Sequence, residues 1–191
     1  MNTLKNLYNI RYRLCLLLTI AGLALSACTG LPDGIEPVEE FEIDRYLGTW
    51  YEIARLDHRF ERGLSGVTAT YRLRDDGTIE VINRGYDDDK GEWREATGKA
   101  RFAGDSSKGH LEVSFFGPFY ASYIVFWLDP DYEIAMVTGH NRSYFWLLSR
   151  SSQLSPRRLQ ELLAIARDRG FTVEELIFVT QEDQEAAASE H

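Results

Sequence analysis

The chain has 191 residues, 44% of them hydrophobic and 13% aromatic, and a formal net charge of -9. That length holds one well-cored domain and hardly two. The acidic balance, which deepens once Lys5, Arg11 and Arg13 of the first 27 residues are set aside, argues against nucleic acid or an anionic membrane as a partner of the folded part, because phosphate binding depends on clustered cations.

Residues 1–27 read as an export signal. Three cations and no acid precede the apolar run Leu14 to Leu25, which is too short for an ordinary membrane span and ends in small residues. The tetrapeptide Leu25-Ser26-Ala27-Cys28 resembles the lipobox of bacterial lipoproteins, in which the Cys is acylated and becomes the first mature residue. The resemblance implies lipidation at Cys28 and membrane attachment through the N-terminal lipid. Thr29, in place of the Asp that retains many lipoproteins in the inner membrane, implies the periplasmic face of the outer membrane. Cys15 leaves with the signal, so the mature chain keeps one Cys and forms no internal disulfide. Residues 28–40, with Pro32, Gly34, Pro37 and several acids, have the composition of a tether.

From Trp50 the pattern is β almost throughout. Trp50 to His58 gives a first strand, and Arg59 to Gly66 a polar loop. Val67, Ala69, Tyr71 and Leu73 then alternate with polar residues, as in a half-buried strand, and Asp75-Asp76-Gly77 is a hairpin turn. Ile79 and Val81 share a face of the next strand. After the charged turn Asp87 to Gly91 come Ala96, Gly98, Ala100 and Phe102 on one parity, then Leu111, Val113 and Phe115. Phe119 to Leu128 is apolar on both faces, and Tyr132 to Gly139 and Ser143 to Arg150 complete eight strands without a crossover helix. Consecutive hairpins favour an up-and-down antiparallel sheet, which eight strands can close into a barrel; a sandwich would accept the same turns. One helix follows, with Ser155 as N-cap, Pro156 in the first position, an apolar face of Leu159, Leu162, Leu163 and Ala166, and Gly170 to end it. Leu176 to Val179 offers a short last strand, and residues 181–191 a flexible tail.

Gly48-Thr49-Trp50 at the first strand, Asp129-Pro130-Asp131-Tyr132 about 80 residues later and the strand-end Arg150 resemble, in order and separation, the three conserved regions of the lipocalins. The resemblance covers roughly Phe41 to Val179 and is nearest to the bacterial outer-membrane branch, through Ile43 to Gly66 and Val113 to Tyr123. One departure is Leu128, where the second region usually has Thr before Asp129. The resemblance decides for the barrel over the sandwich: an all-β, eight-stranded antiparallel up-and-down β-barrel spanning 41–180, with the C-terminal helix packed outside. It also gives Gly48, Trp50, Asp129, Tyr132 and Arg150 structural roles, with Trp50 closing the base and Arg150 across its indole.

No catalytic constellation emerges. His58, His110, His140 and His191 show no metal-ligand spacing and read as surface or turn residues; Gly63-Leu64-Ser65-Gly66 is not a nucleophile elbow; Asp87, Asp88 and Asp89 are a cation site or, more simply, a solvated turn. Neither an enzyme nor a cofactor is expected. If the apolar parity faces inward, Ala69, Tyr71, Val81, Phe115, Tyr123 and Val125 line a cavity in which Gly98 and Ala100 leave room; otherwise they pack a solid core. For the family branch the implied ligand is a small hydrophobic one, a fatty acid or lysophospholipid.

Overall fold

The computed structural model describes residues 30–181. The expected signal peptide over residues 1–27, Cys28 and the chain beyond Gln181 lie outside the described residues. A one-turn helix α1 (Ile43–Tyr46) leads into β1 (Gly48–Arg55), and seven strands follow: β2 (Leu64–Leu73), β3 (Ile79–Asp87), β4 (Glu92–Phe102), β5 (His110–Ser114), β6 (Ala121–Leu128), β7 (Ile134–Thr138) and β8 (Phe145–Ser149). Every consecutive pair is antiparallel, and β8 pairs back onto β1, so the sheet closes on itself and leaves no long free edge.

Closure at β1 is uneven. β1 pairs with β2 only over Gly48 to Tyr51. Beyond that a two-residue strand, β9 (Ile177–Phe178), pairs with Ala54 and Arg55, and the Gln181 amide donates to Glu52 O (2.8 Å) and Val67 O (2.9 Å) across the gap. Gln181, expected to open a loose tail, is therefore bound as a bridge.

Helix α2 (Pro156–Asp168) begins at Ser155, whose Oγ accepts from Arg158 N–H (3.3 Å), and gives way to Gly170 with φ 83°. Leu162, Leu163 and Ala166 bury against Phe145, Leu147, Phe126 and Phe171 on the outside of the barrel. Trp146 and Leu148 of β8 point to the inner cluster, so both faces of this strand are apolar because one is covered by the helix and the other faces in.

Residues 30–40 depart from the tether reading. Ile35 is buried against the α2 side of the wall, Val38 N–H donates to Val125 O (2.9 Å) and Gly109 N–H donates to Val38 O (2.9 Å). Ile35 and Val38, with the buried Pro32 and Pro37, lay the segment along the barrel. No helix among the described residues is long and apolar enough to cross a membrane.

Candidate functional site

The three motif regions meet at one end of the barrel. Trp50 is fully buried there and its Nε1 donates to Tyr46 O (2.8 Å). The Arg150 guanidinium lies 3.9 Å from the Trp50 ring centroid, and its N–H groups donate to Thr49 O and Leu47 O (both 2.8 Å) and to Arg45 O and Tyr46 O. Gly48, at φ 93°, lets the chain turn beneath it; a Cβ would sit 3.4 Å from Arg150 Nη1. Asp129 Oδ1 accepts from the N–H groups of Glu133 and Ile134 (2.7 Å each) and fixes the turn that carries Tyr132. Tyr132 in turn accepts at its hydroxyl from Glu42 N–H and stacks under Arg45. These residues seal the base.

Above the seal lies a small apolar cavity. Of the residues expected inside, Tyr71, Val81, Ala100 and Tyr123 border it, together with Ile43, Tyr46, Ile79, Leu111 and Val113. Ile79, Leu111 and Val113 share the parity of the expected residues and were visible in the alternation; Ile43 and Tyr46 come from α1, which the β pattern does not reveal. Ala69 and Phe115 pack against the same inner cluster, and Val125 is wholly buried in it. The space beside Gly98 is taken by Phe115, whose ring would stand 2.9 Å from an added Cβ. The cavity is narrow, with room for about one water.

The polar atoms in this apolar lining are phenols. Tyr123 shares its hydroxyl with those of Tyr46 and Tyr71, each at 2.7 Å. Burial is the leading cause that raises all three above the ordinary tyrosine range, so they stay protonated. The two hydrogen bonds satisfy these hydroxyls among themselves, and the surface they leave toward the cavity is apolar.

A second cluster, which sequence reasoning missed, sits farther from the base. Glu52, Arg55 and Glu61 are 3%, 1% and 7% exposed. Arg55 donates to Glu52 Oε1 (2.8 Å), Glu61 O (2.7 Å) and Leu64 O, and Trp146 Nε1 donates to Glu61 Oε2 (3.0 Å). Burial, and then the charge of Glu61, lifts Glu52 well above the carboxylate range; burial lifts Glu61 as well. His58, expected at the surface, is instead buried among Phe60, Tyr144 and Trp146, with ring centroids 5.4, 4.9 and 4.7 Å away. Burial first and the Arg55 charge second bring its pKa down to about 4. No group of three or more potential metal ligands occurs among the described residues, and Asp87 instead accepts from Lys90 N–H and pairs with Arg94.

A closed eight-stranded barrel sealed at one end is the architecture that can enclose a single small ligand. The chain belongs to the lipocalin family: residues 41–181 match the Lipocalin-like domain. It is 52% identical to the outer membrane lipoprotein Blc of Vibrio cholerae, over 86% of this chain and 97% of that protein. It is 54% identical to the protein of that name from Escherichia coli K12, over 78% of this chain and 85% of the relative. Insecticyanin from the tobacco hornworm Manduca sexta shares the fold at 18% identity, with a TM-score of 0.65 over 81% of this chain and 88% of that one.

Proposed function

We propose that the protein is a lipid-anchored lipocalin of the outer membrane, facing the periplasm, which binds fatty acid or lysophospholipid and stores or carries it when the envelope is damaged. Lipocalins typically bind small hydrophobic ligands. The observation that carries the reading for this chain is a closed barrel with an apolar cavity behind its sealed base, next to a buried tyrosine hydroxyl cluster. An acyl chain enters such an apolar lining as its side chains yield to it. Burying about ten CH₂ groups contributes about 8 kcal/mol before association costs, which is consistent with micromolar binding. The anchor is assigned to Cys28 on the lipobox Leu25-Ser26-Ala27-Cys28, and the names of the relatives support the membrane assignment. We read the role as binding, as is typical of lipocalins; among the described residues Glu52 is paired with Arg55, Glu61 accepts from Trp146 and His58 lies among aromatic rings.

The narrowness of the cavity favours a second reading, in which the core is solid and the protein is an interaction module of the envelope. Mass spectrometry of organic extracts from the purified protein separates the two. Stoichiometric fatty acid or lysophospholipid is expected; a lipid-free extract, together with no binding of added lysophospholipid, overturns the container.

A further inference from the structure

Four turns join strands at the end of the barrel opposite Trp50: residues 56–63, 88–91, 115–120 and 139–144. This end is open, for residues 92–97 of β4 are exposed on both faces. Three of the turns carry charge, through Asp57 and Arg59, Asp88 and Lys90, and Arg142. The β5–β6 turn, Phe115-Phe116-Gly117-Pro118-Phe119-Tyr120, carries none. Its Phe116 and Phe119 are 83% and 68% exposed, the most exposed large apolar side chains among the described residues. Phe60 and the half-exposed Trp93 stand at the same end.

The chain enters the structure beside this turn. Ser122, two residues beyond it, donates from Oγ to Gly30 O (3.0 Å), and the exposed Leu31 follows. From there the segment runs down the wall, through Val38 against Val125, to Phe41 at the sealed end. Cys28 is two residues before Gly30, so its Cα lies within about 8 Å of the Gly30 Cα. Strand β6, by contrast, carries the wall from Ser122 about 20 Å farther to the base. An anchor on Cys28 therefore reaches a membrane at the open end and cannot bring the sealed end to the same membrane while Gly30 stays on Ser122.

We propose that the open end is the membrane-facing surface, with Phe116 and Phe119 inserted into the phospholipid interface beside the acyl chains on Cys28. This rests on the reading of Cys28 as the anchor. Exposed aromatic side chains on an uncharged turn are suited to the interface between head groups and acyl chains, and the acidic protein needs no anionic lipid to place them there.

The test uses the full chain, purified from membranes and reconstituted into phosphatidylethanolamine–phosphatidylcholine vesicles that contain a nitroxide-labelled lipid. Phe119→Cys and, separately, Phe116→Cys place an environment-sensitive fluorophore on the turn; Leu73→Cys places it on an exposed site at the sealed end. Blue-shifted emission quenched by the nitroxide at 116 and 119, with water-like unquenched emission at 73, is expected. Intact mass of the same preparations reports acylation of Cys28 independently. Acylated protein whose turn emission stays water-like overturns the surface and leaves the anchor standing. Unacylated protein with a quenched turn removes the anchor and keeps the surface, and failure of both measurements overturns both. A blue-shifted turn that the nitroxide does not quench, in protein that sediments as a dimer, assigns the turn to a second copy of the chain and overturns the proposal.

Discussion

Arg150 covers Trp50 and at the same time ties four carbonyls of the chain that leads into it, from Arg45 to Thr49. A planar guanidinium can do both, since its face meets the ring while its edge donates. The seal at the base is thus one side chain holding α1, Gly48 and β1 to the end of β8.

Arg150→Ala should therefore cost more than the cation–π contact alone. The contact contributes about 0.5 to 2 kcal/mol and each charged hydrogen bond about 1.5 or more, discounted here because the site is partly exposed. A loss of about 2 to 3 kcal/mol in urea unfolding is expected, with altered Trp fluorescence and unchanged strand content. Arg150→Lys should recover only a minor part, because an ammonium cannot stack and fork together. An unchanged midpoint in Arg150→Ala would remove the seal from the energetics of the fold.

Arg55 poses the converse case, a cation held almost wholly inside. It is the charge partner of Glu52 and also donates to the carbonyls of Glu61 and Leu64. Arg55→Met should destabilise by about 3 to 5 kcal/mol, because it leaves a buried carboxyl without its cation. Adding Glu52→Gln should restore part of the loss, since the amide no longer needs a counter-charge. Chemical denaturation of both single variants and the double one checks this; strict additivity would mean the two side chains do not act as a pair.

Much of this architecture was legible because period and punctuation agree along the chain. Alternation at Val67 to Tyr71, Ile79 to Val81 and Leu111 to Val113 marks inward residues, and Ser155-Pro156 with Gly170 brackets α2. What stayed hidden depends on geometry that breaks the period. β1 shifts register between Glu52 and Ala54, so strict alternation would put Glu52 and Arg55 on opposite faces, whereas they are bonded to each other. Residues 30–40 look polar in composition, yet the apolar side chains of Ile35 and Val38 and two backbone hydrogen bonds through Val38 lay them on the barrel. Gln181 bridges a gap between β1 and β2 that exists only once the barrel has closed unevenly.

His58 gives the protein a pH dependence whose sign can be fixed. Its folded-state pKa, about 4, lies below the ordinary histidine value near 6.5. The corresponding stability is present above about 6.5 and is lost as the pH falls toward 4, because the unfolded chain binds the proton first. Glu52 and Glu61 are shifted upward, so their contribution has the opposite sense: it is present in acid and is lost as the pH rises beyond the ordinary carboxylate range. The difference between two proteins isolates the histidine. His58→Phe keeps a ring among Phe60, Tyr144 and Trp146 and removes an Nε2 that has no hydrogen-bond partner among the described residues. Its advantage over the parent should be small at pH 8 and grow steadily between pH 6.5 and 4. A gap that does not change over that range would mean His58 titrates normally.

Ala100 separates a container from a solid core. It is buried on β4, paired in register with Ile79 on one side and Val113 on the other, and all three line the cavity. In a container the lining side chains yield to an acyl chain, so Ala100→Phe fills space that the ligand needs. Lysophospholipid affinity should then fall at least tenfold, about 1.4 kcal/mol, while urea unfolding changes little. In a solid core the ring has nowhere to go, and overpacking should cost about 1 to 3 kcal/mol with no ligand affinity to lose. Tyr123→Phe provides an internal control: it deletes the hydroxyl shared by Tyr46 and Tyr71 without adding volume. If that hydroxyl cluster holds the ligand's oxygen, Tyr123→Phe should weaken a fatty acid and leave a hydrocarbon of equal length unaffected. Equal weakening of both ligands would mean the phenols only pack, and a destabilised Ala100→Phe whose parent binds no lipid would assign the interior to structure alone.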